Sequence, residues 1–259
     1  MVESDLLHKI CMRGSLFMKK ITKIFGLLLI SCFMLVPGIT AKAAMQPAKP
    51  TGLGVYSQDK SKIAIDFTFD SNLPNYSPEN PYSFGYEVTI KNTKGKTLKV
   101  LNTNTNSNDF KLEDESTLAV ILSGKQYTRS AFIFKVRSFV CDANNQPIYS
   151  ETAEKLVVPR AVVTKIKATS RTTGKVSWNK ISGAKKYTVY VSSNNGKKYK
   201  KAGSTKSKSF TIKNMKLGKT YYVYVVADGV KVGKKKYRSS KMKDKQGGVT
   251  KVSIYMRYR

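Results

Sequence analysis

A period of two, repeated along the chain, is the feature that most limits what this sequence can become. In Tyr187-Thr188-Val189-Tyr190-Val191 the residues Tyr187, Val189 and Val191 share one face of an extended backbone. Tyr221-Tyr222-Val223-Tyr224-Val225-Val226 repeats the pattern, and residues 162–166, 174–178, 209–212 and 236–238 extend the series. Gly, Asn, Ser and Asp clusters separate the runs. Asn194-Asn195-Gly196 is one of them, with residues that tolerate the positive φ of a tight hairpin. Beyond an N-terminal apolar segment, no stretch holds a helical period. The expectation is an all-β chain, long enough for two domains of ordinary size.

The second half resembles a fibronectin type III domain, of the Lys- and Tyr-rich kind found in Gram-positive bacterial surface proteins. Trp178 in Val-Ser-Trp, residues 182–190, and residues 215–221 leading into the strand up to Ala227 carry the resemblance. It implies a two-sheet, immunoglobulin-like β-sandwich with Trp178 and Tyr187 in the core. It also implies that the Tyr221 hydroxyl folds back onto the backbone as a tyrosine corner. The first half reads as a diverged copy, with Phe67 in place of the Trp and Gly124-Lys125-Gln126-Tyr127 parallel to Gly218–Tyr221. In this copy Phe132, Phe134 and Val136 lie in the opposite alternation phase from Tyr127, which a bulge or an extra turn after Tyr127 would reconcile. The expected modules are 46–159, diverged, and 160–243. Residues 244–259 form a tail or the start of a further repeat, because Val249-Thr250-Lys251-Val252-Ser253-Ile254 echoes residues 163–168.

The N-terminus reads as an export signal over 18–43. It has a Lys-rich start at Met18, an apolar run of 13 residues over 24–36, and Ala41-Lys42-Ala43 as a cleavage site. That run is short for a membrane-spanning helix, which takes about 20 residues. Residues 1–17 are expected to be an upstream extension ahead of the true start. A competing signal is Leu29-Ile30-Ser31-Cys32, which has the form of a lipoprotein motif, but the apolar run continues past Cys32. The mature chain then holds one cysteine, Cys141, and no histidine, so stability must come from burial and the usual Cys and Ser catalytic arrangements lack their base.

Charge separates the two halves. Residues 161–259 contain 27 Lys and Arg against two acids, Asp228 and Asp244, whereas residues 45–160 contain 14 against 12. An imbalance of that size points to an anionic partner. The candidate anion-binding residues are Lys185, Lys186, Lys197, Lys198, Lys200, Lys201, Lys234, Lys235 and Lys236, with Tyr190, Tyr199, Tyr222 and Tyr224 interleaved. Lysines of this kind also blunt sheet edges and keep a domain soluble. The acids of the first half are expected to be mostly solvated surface. Glu113-Asp114-Glu115 lacks the alternate-position carboxylates of a calcium loop. No catalytic residue, metal site or cofactor is expected, and no transmembrane segment in the mature chain.

The leading expectation is a non-catalytic, monomeric module protein, secreted to the Gram-positive cell surface, lying in or binding the anionic, teichoic acid-like polymer of the wall. The alternatives are a polysaccharide-binding or adhesion module, or spacer, from a larger polysaccharide-acting protein, and capture of extracellular DNA. The charge permits the last, but no nucleic-acid-binding motif supports it.

Overall fold

The computed structural model describes residues 46–69, 84–114, 116–142 and 144–242. The export signal, Cys32, residues 70–83, Glu115 and the 249–254 echo lie outside the described residues. Within them the chain forms two antiparallel β-sandwiches in tandem, immunoglobulin-like in topology.

In the first sandwich, one sheet runs β1 (Thr51–Gln58), β2 (Lys62–Thr68), β6 (Thr117–Ser123), β5 (Phe110–Asp114). The facing sheet runs β4 (Thr97–Asn102), β3 (Phe84–Asn92), β7 (Phe132–Cys141), β8 (Pro147–Tyr149), and β9 (Ala153–Val157) also pairs with β7. Period-two alternation brings Ile63, Ile65 and Phe67 of β2 against Val88, Ile90, Phe134 and Val136. Phe67 is fully buried, its ring 5.2 Å from that of Tyr86 and 6.5 Å from that of Phe134.

The opposed phases around Tyr127 have a simple cause. Tyr127 sits inside a single helical turn, α1 (Lys125–Thr128), and is buried with its ring edge-on to Phe132 at 5.7 Å. The turn, closed by the Arg129 N–H donating to the Lys125 carbonyl at 2.9 Å, breaks the strand alternation before β7 begins. Two acids depart from the mostly solvated set: Asp66 is 2% and Glu87 6% exposed. Glu87 is covered because Arg137 lies across it, with Nε and Nη2 at 2.9 and 2.7 Å from Oε1.

In the second sandwich, β10 (Val163–Ala168), β11 (Gly174–Trp178) and β14 (Ser209–Ile212) form one sheet in that order. The other runs β13 (Lys200–Thr205), β12 (Lys186–Ser192), β15 (Tyr222–Val232), β16 (Lys235–Arg238). Trp178 is 4% exposed and packs on Tyr187 with ring centroids 5.5 Å apart. The Tyr187 hydroxyl accepts from the Ile181 N–H at 3.1 Å, and the Tyr221 hydroxyl accepts from the Lys216 N–H at 2.6 Å, the geometry of a tyrosine corner. The β12–β13 connection turns at Asn195 and Gly196, both with positive φ, 44° and 73°. A Cβ at Gly203 would lie 2.5 Å from the Phe210 ring, so any larger residue there requires that ring to move.

The two cores are separate: Val157 closes the first and Val158 opens the second. Polar contacts join them. The Gln58 amide exchanges two hydrogen bonds of 2.9 Å with the Arg160 backbone, and the Ser182 N–H donates to the Arg129 carbonyl at 2.7 Å.

Replacing Trp178 by Ala should destabilise the second sandwich by about 3–5 kcal/mol, as for other buried large aromatics, measured by denaturant unfolding. Tyr221→Phe should cost less, about 1 kcal/mol, because it removes one hydrogen bond and leaves the ring in place.

Candidate functional site

The β12–β15 ladder pairs Lys186 with Asp228 at one end and Ser192 with Tyr222 at the other. Because side chains alternate, Tyr187, Val189, Val223, Val225 and Ala227 point into the core. Thr188, Tyr190, Tyr222, Tyr224 and Asp228 therefore share the outer face. All nine candidate lysines are exposed, but they do not form one patch. Lys185, Lys186, Lys234, Lys235 and Lys236 gather at the β15–β16 turn, where Val232 pairs with Lys235 and Lys231 with Lys236. Lys197, Lys198, Lys200 and Lys201 gather at the β12–β13 turn, where Val191 pairs with Lys200 and Tyr190 with Lys201. Along β12, Lys186 lies four residues from Tyr190, the partner of Lys201, about 13 Å at the usual rise.

Tyr190 and Tyr224 lie between these two groups, and Tyr199 reaches them from the β12–β13 turn. The Tyr190 and Tyr224 rings stack at 4.8 Å with planes 13° apart, and Tyr199 meets Tyr224 edge-on at 4.7 Å. The Arg160 guanidinium lies over Tyr224, Cζ 4.9 Å from the ring centroid. With Tyr190, Tyr199 and Arg160 all against it, Tyr224 offers no open ring face on which a sugar could stack.

Arg238 completes the cluster. Its Nη2 donates to the Tyr190 hydroxyl at 2.6 Å and its Nε lies 3.1 Å from Asp228 Oδ1, while the Thr188 hydroxyl donates to Asp228 Oδ2 at 2.6 Å. The bond to Tyr190, assisted by Asp228, holds the Arg238 pKa above its usual value. Arg160 is the opposite case. Burial pushes its pKa below the ordinary guanidinium value, and the nearby Arg238 charge adds to that effect. Its Nε is buried without an acceptor. Burial also pushes the Tyr199 and Tyr224 phenols above their ordinary range, against the pull of Arg160.

Neither arginine belongs to a run of charge in the sequence: Arg160 stands alone after Val-Val-Pro and Arg238 follows a tyrosine. The only available signal was their place at the start and end of the module. Elsewhere, Cys141 is half-buried at the end of β7. Among the described residues no three His, Cys, Asp or Glu side chains are grouped to hold a metal ion, and no helix is long and apolar enough to cross a membrane.

No family model matches this chain, and no curated protein matches it. Its neighbours among solved structures are fibronectin type III proteins. The FN1–FN3 domains of chicken CNTN1 are 18% identical, with TM-score 0.27, covering 76% of this chain and 65% of that one. A two-domain fibronectin type III segment of chicken tenascin is 12% identical, with TM-score 0.28, covering 74% of this chain and 97% of that one. Domains A168–A170 of titin are 12% identical, with TM-score 0.26, covering 76% and 60%. The chain thus spans less than two thirds of the CNTN1 and titin segments. The fold stands on strand order and register.

The raised phenols give a pH prediction. A group whose pKa is higher folded than unfolded adds stability below the unfolded value, about 10 for tyrosine, and loses it as pH rises through the folded value. Phenolate absorbance should therefore show a late-titrating fraction above pH ~10 that shrinks in Tyr224→Phe. The stability of the native chain should fall more steeply there than that of the variant.

Proposed function

We propose that this is a non-catalytic, secreted surface protein whose second module binds the anionic, phosphodiester-bearing polymer of a bacterial cell wall, with the first module as its partner and spacer. The observation that carries the reading is the charge of the described second sandwich. Residues 161–242 hold 22 Lys and Arg and one acid, Asp228. That acid is already engaged by Arg238 and Thr188. Such a surface lowers its self-repulsion by taking on a polyanion, and the bound polymer gains free energy by releasing condensed counterions. Lysine groups at both ends of one sheet, with arginines between them, suit an extended chain of phosphates better than a single small anion.

The polysaccharide-stacking alternative is weakened by the closed packing around Tyr224. DNA shares the phosphodiester chemistry and becomes a comparison arm of the test. The two-module chain should bind walls, lose binding when teichoic acid is stripped, and prefer that polymer to DNA of matched charge. Between 50 and 200 mM salt, affinity should fall by about a hundredfold or more. Changing Lys234, Lys235 and Lys236 together to Gln should flatten the salt dependence while leaving the thermal midpoint near that of the native chain. Wall binding that persists at high salt, or that survives teichoic acid removal, would overturn the reading.

A further inference from the structure

We infer that residues 239–242 are a strap that carries the chain back from the second sandwich onto the first and fixes the two at a single angle. The inference is independent of the polyanion reading above: it concerns how the modules are held, whatever the second one binds.

The strap exists because the closing strand of the second sandwich is cut short. β15 has 11 residues, but β16 pairs only with its far end, from Asp228 to Val232. One more step follows, where the Ser239 N–H donates to the Ala227 carbonyl at 2.9 Å. Beyond that point the edge of β15 is taken. Ala161, arriving from the first module, bridges antiparallel to Val225, and β12 already lines the opposite edge. A strand has only two edges for hydrogen bonding, so the closing segment has to leave.

It leaves along the linker. The Ser239 hydroxyl accepts from the Ala227 N–H and donates to the Pro159 carbonyl, each at 2.9 Å. Ser240 holds Val158 at both backbone groups: its N–H donates to the carbonyl at 2.8 Å, and its Oγ accepts from the N–H at 3.0 Å. Two residues on, Met242 bridges Val55 of β1 in parallel and packs against the first core. Contacts also run the other way, with Ala131 and Leu156 of the first module packed against the second core.

Two sandwiches joined by one linker hinge freely unless their interface is extensive. Here the chain crosses the junction twice, at Val157–Val158 and again after Ser240. Gln58 is 5% and Ser239 9% exposed. A small rotation would therefore break their bonds to Arg160 and Pro159 before water could replace them, leaving buried polar groups unpaired. A full separation would expose the apolar contacts of Met242, Ala131 and Leu156. Ala48, whose carbonyl accepts from the Ser138 hydroxyl at 2.6 Å, and Met242 both lie against the first module. The basic sandwich is thus held between two attachments to the first.

The test is made on the two-module chain by residual dipolar couplings and amide exchange. Couplings from the strands of both sandwiches should fit one alignment tensor, and two different tensors would overturn the strap. Met242→Ala trims a side chain that follows the second sandwich in sequence, yet it should speed exchange of β1 and β2 amides in the first by about tenfold. Lys241→Ala, at an exposed neighbour on the same segment, should leave both readouts unchanged. Ser240→Ala combined with Met242→Ala should split the tensors and turn one denaturant transition into two. Should that double variant fold poorly, the couplings of the native chain still decide. Quickened exchange confined to the second sandwich in Met242→Ala, or a single tensor kept in the double variant, would show that the linker and Gln58 set the angle without the strap, and would sink the inference.

Discussion

The unbroken register between β12 and β15, seven pairs from Lys186–Asp228 to Ser192–Tyr222, is the constraint on which the second module depends. Each strand sends alternate residues to opposite faces, so one ladder sets the core and the outer surface together. Tyr187, Val189, Val223 and Val225 close over Trp178 on one side. Tyr190 stacks on Tyr224 on the other, because the same register sets those two residues opposite each other. A slip of one residue would expose the core set and bury the tyrosines and Asp228. The surface is therefore as strongly specified as the core, and for the same reason.

A second consequence concerns charge. In a sandwich this basic, each cation must find water, a carboxylate or a ligand. The lysines find water at the two turns of the sheet. Arg238 finds Asp228 and the Tyr190 hydroxyl. In the first module Arg137 finds Glu87. Arg160 is the residue for which the described chain supplies an aromatic face but no acid, and it sits where the two modules meet. The junction is thus more than a covalent tether. Gln58 and the Arg129–Ser182 contact tie the end of one sandwich to the start of the next. The orientation of that junction bears directly on the surface of the second module.

Alternation and turn chemistry made the strands legible in the sequence, and Asn194-Asn195-Gly196 marked a hairpin that the structure closes with two positive φ angles. Trp178 and Tyr221 were legible through a resemblance, and the structure gives each a physical place: a buried ring against Tyr187, and a hydroxyl bonded to the Lys216 N–H. The excess of basic residues was visible as composition. Its division into two groups at opposite ends of the β12 ladder was not, because lysines distant in sequence meet only once the strands pair.

What the sequence determined alone is therefore whatever depends on neighbours along the chain: period-two strands, tight turns, an all-β class and a basic second half. Tertiary structure decided what depends on neighbours across strands and between modules. It put Tyr127 into a helical turn, buried Glu87 under Arg137, and closed the tyrosine faces against one another. It also brought Gln58 to the backbone of Arg160, 102 positions away. No local pattern encodes that contact, because it exists only when two separately formed sandwiches meet.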